Sequence, residues 1–90
     1  MPTNLYSIYD AVALIWMPPL CQRTDGEAAR AFCASVSDPQ HGFFVQAPDL
    51  RLYRVGTFDQ DTGEIKSVTP ELILSGGEAV ARSAREKAAA

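Results

Sequence analysis

Hydrophobic and polar positions in this chain switch between two periods, and each switch marks an element. Residues Asn4 to Tyr9 alternate and are rich in Tyr and Ile, which predicts a strand with one buried face. Asp10-Ala11 predicts a turn, and VALIWM (Val12 to Met17) is β-branched and aromatic enough for a second strand, closing a hairpin. Pro18-Pro19 ends it, because neither residue can donate to a ladder. The period then becomes helical: Ala28, Phe32 and Val36 recur four apart, with Ala29 and Cys33 beside them. Thr24 followed by Glu27 is a capping-box start, and Asp38-Pro39 is the stop, since proline disfavours α geometry in the residue before it.

A loop, DPQHGFFVQAPD, separates this helix from the strand LRLYRVGTF. Alternation in that strand puts Leu50, Leu52, Gly56 and Phe58 on one face and Arg51, Tyr53, Val55 and Thr57 on the other. Arg54 falls on the apolar face, so it either snorkels outward or a bulge near Gly56 changes the phase. Glu64 to Val68 read as the partner strand, Thr69-Pro70 as an interruption, and ELIL as a last short strand. Ser75-Gly76-Gly77 leads into a run of helix formers with Glu78–Arg82 and Arg82–Glu86 at i,i+4 spacing. Val80 is its only large apolar residue, which predicts a weak docking face. The sum is an α+β fold: one domain over residues 1–77, with a mostly antiparallel sheet of four or five strands and one packed helix. A C-terminal helical tail follows over residues 78–90.

Composition narrows the classes. The chain has 90 residues, one domain's worth, and a domain of that size buries only about two-thirds of its unfolded surface. Self-association would add buried apolar area. Eleven acidic against eight basic residues give a net charge of −3, which argues against nucleic-acid binding by bulk positive charge but leaves room for a local basic patch. Cys21 and Cys33 form no CxxC pair, and the N-terminus lacks the charged start of a secretory leader. Together these predict a reduced, cytosolic protein with buried thiols. AVALIWM is too short to cross a bilayer, so no membrane partner is expected.

The densest chemistry is YRVGTFDQDTGEI, where three carboxylates crowd one glycine. An EF-hand loop needs oxygen ligands at its first, third and fifth positions and a glutamate at its twelfth. Counting from Asp59, the fifth position is Gly63 and the twelfth is Pro70, so the pattern fails. A hairpin turn with Gly63 at positive φ fits instead. Catalysis by a carboxylate pair needs environments that drive two pKa values apart, and a hairpin tip gives both acids the same one. His41 is the only histidine, without a second metal-ligand partner, and no nucleophile motif accompanies it. Ser75-Gly76-Gly77 lacks the Lys-Ser/Thr ending of a nucleotide loop and reads as a helix entry. No catalytic residue, metal site or cofactor is expected, and the protein is read as non-enzymatic.

A binding surface is better supported. Arg51, Tyr53 and Arg54 share one strand, Lys66 lies on its partner, and Tyr6, Tyr9 and Trp16 come from the first hairpin. Aromatics on a sheet beside cations are the ingredients of a platform for single-stranded nucleic acid. The plainer alternative makes those aromatics core or oligomer contacts.

Several of these segments also carry a resemblance. YSIYD (Tyr6 to Asp10), the Pro18-Pro19 pair, DPQ (Asp38 to Gln40) and above all APDLRLYRVGTFDQDTGEI resemble the small non-structural protein of gokushovirus-like microviruses. These are tailless phages with circular single-stranded DNA genomes. The likeness covers residues 4–75, and its most specific string is LY-x-x-GxFD-x-x-TG. Leu20 where phenylalanine often follows the prolines, the very apolar LIWM segment and the alanine-rich tail depart from the pattern. The resemblance implies a virus-encoded protein made in the cytoplasm of the infected bacterial host and absent from the mature capsid. It further implies a role around genome replication or single-strand synthesis, and some genomes label the protein DNA-binding.

The resulting expectation is a homo-oligomeric phage accessory protein that binds DNA, single-stranded in preference to duplex, through Arg51, Tyr53, Arg54 and Lys66, with Trp16 or Tyr9 as a stacking partner. The competing expectation is a protein-interaction module for the phage replication protein, a host factor or capsid precursors, contacting them through Phe43, Phe44 and LIWM.

Overall fold

A computed structural model describes residues 2–89 of the chain; Met1 and Ala90, the outer ends of the expected domain and tail, lie outside the described residues. Five strands and three helices follow one another: β1 (Pro2–Asp10), β2 (Ile15–Trp16), β3 (Leu20–Gln22), α1 (Asp25–Ser37), α2 (Phe43–Gln46), β4 (Leu50–Asp59), β5 (Ile65–Ser75) and α3 (Gly76–Ala89). A 3-10 turn, Ala47–Asp49, joins α2 to β4. The sheet runs β2-β1-β4-β5, with β3 also pairing β1, and every pairing is antiparallel. The α+β fold read from the sequence is the fold observed.

Helix α1 begins as its cap predicts: the Glu27 amide donates to Thr24 Oγ1 at 3.1 Å. The second half of the capping box is diverted, because the Glu27 carboxylate pairs with Arg23 at 2.8 Å instead of reaching back. Its buried stripe of Ala28, Ala29, Phe32 and Val36 packs on Tyr6 and Ile8 of β1, Leu50 and Leu52 of β4, and Leu74 of β5. These residues all belong to one face of the sheet, and the helices lie on that face.

Besides the unforeseen short strand β3 and the α2 helix and 3-10 turn inside the expected loop, three departures from the sequence reading shape the sheet and its helix layer. Only Ile15 and Trp16 of VALIWM form a strand. Asp10 Oδ1 accepts the amides of Val12 and Ala13, and the Leu14 amide donates to the Asp10 carbonyl, so the residues before Ile15 coil into a turn. Leu14 closes it in the left-handed region at φ 59°. Second, Thr69-Pro70 does not divide two strands: β5 is continuous. Val68, Thr69 and Pro70 fall in an irregular stretch between the pairs Arg54–Glu71 and Gly56–Ser67, where an edge strand can hold a proline. Third, α3 docks without a large apolar residue, for Ala79 is fully buried while Val80 stays exposed.

Gly76 is what allows that docking. A Cβ there would stand 1.7 Å from the Ala47 carbonyl oxygen and 2.7 Å from its carbon, so α3 sits on the backbone of the 3-10 turn. At Gly77 a Cβ would meet nothing within 4 Å. Gly76→Ala is therefore expected to destabilise the fold by about 3 kcal/mol through overpacking. Gly77→Ala should be neutral or slightly stabilising. Urea unfolding of both variants against the parent checks the contrast.

Candidate nucleic-acid interface

Opposite strand residues share a face, so the register assigns each side chain to the helix side or the open side of the sheet. Tyr9 lies opposite both Trp16 and Arg51, Ser7 opposite Tyr53, and Tyr53 opposite Leu72. None of these belongs to the core face, so Tyr9, Trp16, Arg51, Tyr53 and Leu72 gather on the open side. The rings are in contact: Tyr9 and Trp16 have centroids 4.7 Å apart, and Trp16 meets Tyr53 edge-on at 5.0 Å. The two contacts lock three rings from three strands into one patch.

The open side extends beyond that patch because β4 is bulged. Leu5 pairs with Gly56 but Tyr6 pairs with Arg54, leaving Val55 without a partner in β1. Alternation resumes with the opposite phase. Gly56 and Phe58, expected beside Leu50 and Leu52, face the open side with Leu5 and Thr3, while Thr57 moves to the helix side with Asn4. Ser67 and Ile65 of β5, opposite Gly56 and Phe58, join them on the open side. Sequence reasoning missed Phe58, Ile65 and Leu72 as members of this surface. The signal for Phe58 was already present in the misfit of Arg54 with simple alternation.

The six residues read from the sequence as the site do not all meet. Arg51, Tyr53, Trp16 and Tyr9 do. Arg54 is on the helix side, where its guanidinium pairs with Asp25 at 3.4 Å and with Glu71. The hydrogen bond to Glu71 first, and then the charge of Asp25, raise its pKa above the ordinary arginine value. Lys66 lies opposite Thr57, also on the helix side, and its ammonium is 3.5 Å from the Glu64 carboxylate. Arg51 thus supplies the positive charge on the ring-bearing face. The strand residues that the register places on that face include no carboxylate.

The carboxylates are used elsewhere. Asp25 accepts the Tyr6 hydroxyl as well as Arg54, and Asn4 Nδ2 donates to the same hydroxyl at 3.1 Å. At the hairpin tip, Asp59 Oδ1 accepts the Asp61 and Thr62 amides at 2.9 and 3.3 Å, and Gly63 takes φ 77°. Those amide bonds hold the Asp59 carboxyl below its usual pKa. The acidic segment is a capped turn. His41 Nδ1 accepts the Phe43 amide at 3.1 Å, and Ser75 Oγ accepts the Glu78 amide at 3.2 Å, capping α3. Among the described residues no cluster of His, Cys, Asp and Glu could hold a metal ion. Cys21, read as a buried thiol, is exposed on the short strand β3; Cys33 is half-buried, where desolvation raises its pKa.

Residues 3–79 match the family described as Phage ORF5 protein. That span is most of the chain, and the chain belongs to this family. No curated protein and no solved structure matches it. No helix of the described residues is long and apolar enough to cross a membrane.

The Tyr6 network predicts a pH dependence. Burial, then the hydrogen bond to Asp25, push the Tyr6 pKa up from 10.0 to about 12. The unfolded chain therefore releases this proton before the folded one does. The stability it contributes is complete below pH 10 and declines as pH rises from 10 towards 12. Tyr6→Phe should cost about 2 kcal/mol at neutral pH by removing two hydrogen bonds, the donation to the Asp25 carboxylate and the acceptance from Asn4. The variant should also lose less stability than the parent across that alkaline window, which urea unfolding on either side of pH 10 measures.

Proposed function

We propose that this member of the Phage ORF5 family is a non-enzymatic accessory protein that binds single-stranded DNA in the cytoplasm of the infected bacterium. It would serve genome replication or single-strand synthesis of a microvirus-like phage. One observation carries the reading: the side of the sheet left bare by the helices bears a contiguous Tyr9–Trp16–Tyr53 patch with Arg51 beside it and no strand carboxylate. Helices behind and aromatic rings in front is how sheet-based single-strand binders expose π-faces to unpaired bases. A duplex hides those faces within its own stack, so the platform favours unpaired DNA.

Stacking rather than charge dominates on this surface. Arg54 and Lys66 drop out of the contact set because both are turned to the helix side and paired with carboxylates. Arg51 remains to meet phosphate, and each phosphate contact on single-stranded DNA contributes a log–log salt slope of about −0.7. A second reading, capture of the phage replication protein, a host factor or capsid precursors, has support in the exposure of Leu14, Ile15 and Phe44. Phe43, expected with them, packs half-buried against the core.

Fluorescence anisotropy with a labelled oligothymidylate tests the proposal. Trp16→Ala or Tyr53→Ala should weaken binding by about 1–3 kcal/mol, roughly five- to 150-fold. Arg51→Ala should flatten the salt dependence, and Lys66→Ala should leave binding unchanged. Retention of full affinity by Trp16→Ala, or a steep salt slope abolished by Lys66→Ala, would contradict it.

A further inference from the structure

The open face carries a second aromatic position away from the ring patch. Phe58 stands five residues beyond Tyr53 in β4, about 16 Å away at the rise of an extended strand. The bulge turns it to the open side, with Thr3 of β1 and Ile65 of β5 as its cross-strand neighbours. Phe58 is half-buried and keeps part of its surface in solvent, and Ile65 beside it is 66% exposed. Between the two aromatic positions the register sets Leu5, Gly56 and Ser67. Leu5 and Gly56 are buried, Ser67 is exposed, and none of the three carries a charge. Beyond Phe58 the character changes, because the hairpin tip carries Asp59, Asp61 and Glu64.

We infer that Phe58 is a second base-stacking position, and that a bound strand runs along β4 from Trp16 and Tyr53 to Phe58. This rests on the single-stranded DNA reading above and adds a footprint to it. Any base can stack on Phe58, since every base has a π-face. One aromatic patch fixes no path for a strand; two patches joined by a small, uncharged stretch do. Arg51, opposite Tyr9, supplies the cation at one end of the path. The carboxylates of the hairpin tip repel phosphate at the other end, so the path stops at Phe58. Stacked nucleotides rise about 3.4 Å each, so a strand touching both positions spans roughly four to six nucleotides. Two adjacent bases cannot reach both.

Fluorescence anisotropy with labelled oligothymidylates of two and eight nucleotides tests this on the full chain. Phe58→Ala should weaken binding of the eight-nucleotide strand by about five- to 150-fold and leave the dinucleotide unaffected. Phe58→Leu, which keeps apolar bulk and removes the π-face, should show the same length selectivity to a smaller degree, with the parent's circular dichroism spectrum. Ser67→Glu, placing a negative charge midway along the path, should also weaken the longer strand alone. Trp16→Ala should weaken both lengths. Phe58 variants that bind the eight-nucleotide strand like the parent would overturn the inference and leave the ring patch as the whole site. An equal loss at both lengths would overturn it too, since Phe58 would then be acting on the fold or on the first patch. A parent chain that binds neither length would overturn the single-strand reading itself, and the footprint with it.

Discussion

One extra residue in β4 decides which side chains meet on each side of this sheet. Val55 has no partner in β1, and the pairing phase on its two sides differs by one residue. Before it, β4 sends Leu50, Leu52 and Arg54 to the helices and Arg51 and Tyr53 to the open face; beyond it, Phe58 turns to the open face as well. The neighbouring strand conforms to the same irregularity. Val68, Thr69 and Pro70 lie in the unpaired stretch of β5, and Gly56 lets the Lys66 carbonyl approach where a Cβ would stand at 2.4 Å. A regular β4 would have put Phe58 among the helix-side residues and split the apolar open face in two.

Charge is sorted by the same arrangement. The molecule is acidic as a whole, yet sequence charge says nothing about which side of a sheet a carboxylate occupies. Asp25 and Glu71 sit on the helix side and hold Arg54 between them, with Tyr6 bonded into the group. Asp59 is spent on capping its own turn. What remains on the open side is the three touching rings with the Arg51 guanidinium beside them, and the apolar Phe58, Ile65 and Leu72. Such a surface would suit flat, unpaired bases more than a charged backbone, so the proposed nucleic-acid ligand does not require a basic protein.

Much of this was legible in the residues. The period of Ala28, Phe32 and Val36, the Thr24 cap and the Asp38-Pro39 stop define α1 as it stands. The acidic segment was readable as a turn because its ligand spacing fails and Gly63 sits where positive φ is needed. Other features depend on contacts remote in sequence. Nothing local separates VALIWM as a strand from VALIWM as a turn capped by Asp10, since the capping oxygen competes with a ladder only once β1 is placed. Arg54 and Lys66 read as companions of Arg51 because strand spacing brings them near, whereas the face each takes is set by the bulge and the pairing with β5. The docking of α3 escaped notice because its contact is made by Ala79 and by Gly76 against a backbone carbonyl, and small residues leave little hydrophobic signal.

The most direct test of the open-face account uses the protein's own reporter. Trp16 is the sole tryptophan, and it stands at the centre of the ring patch between Tyr9 and Tyr53. Titrating the unlabelled chain with oligothymidylate while following tryptophan emission should give saturable quenching as bases stack on the indole. The matching duplex should have far less effect. Emission that stays constant through a range of oligonucleotide in which binding is seen by another method would place the DNA elsewhere on the molecule and contradict the account.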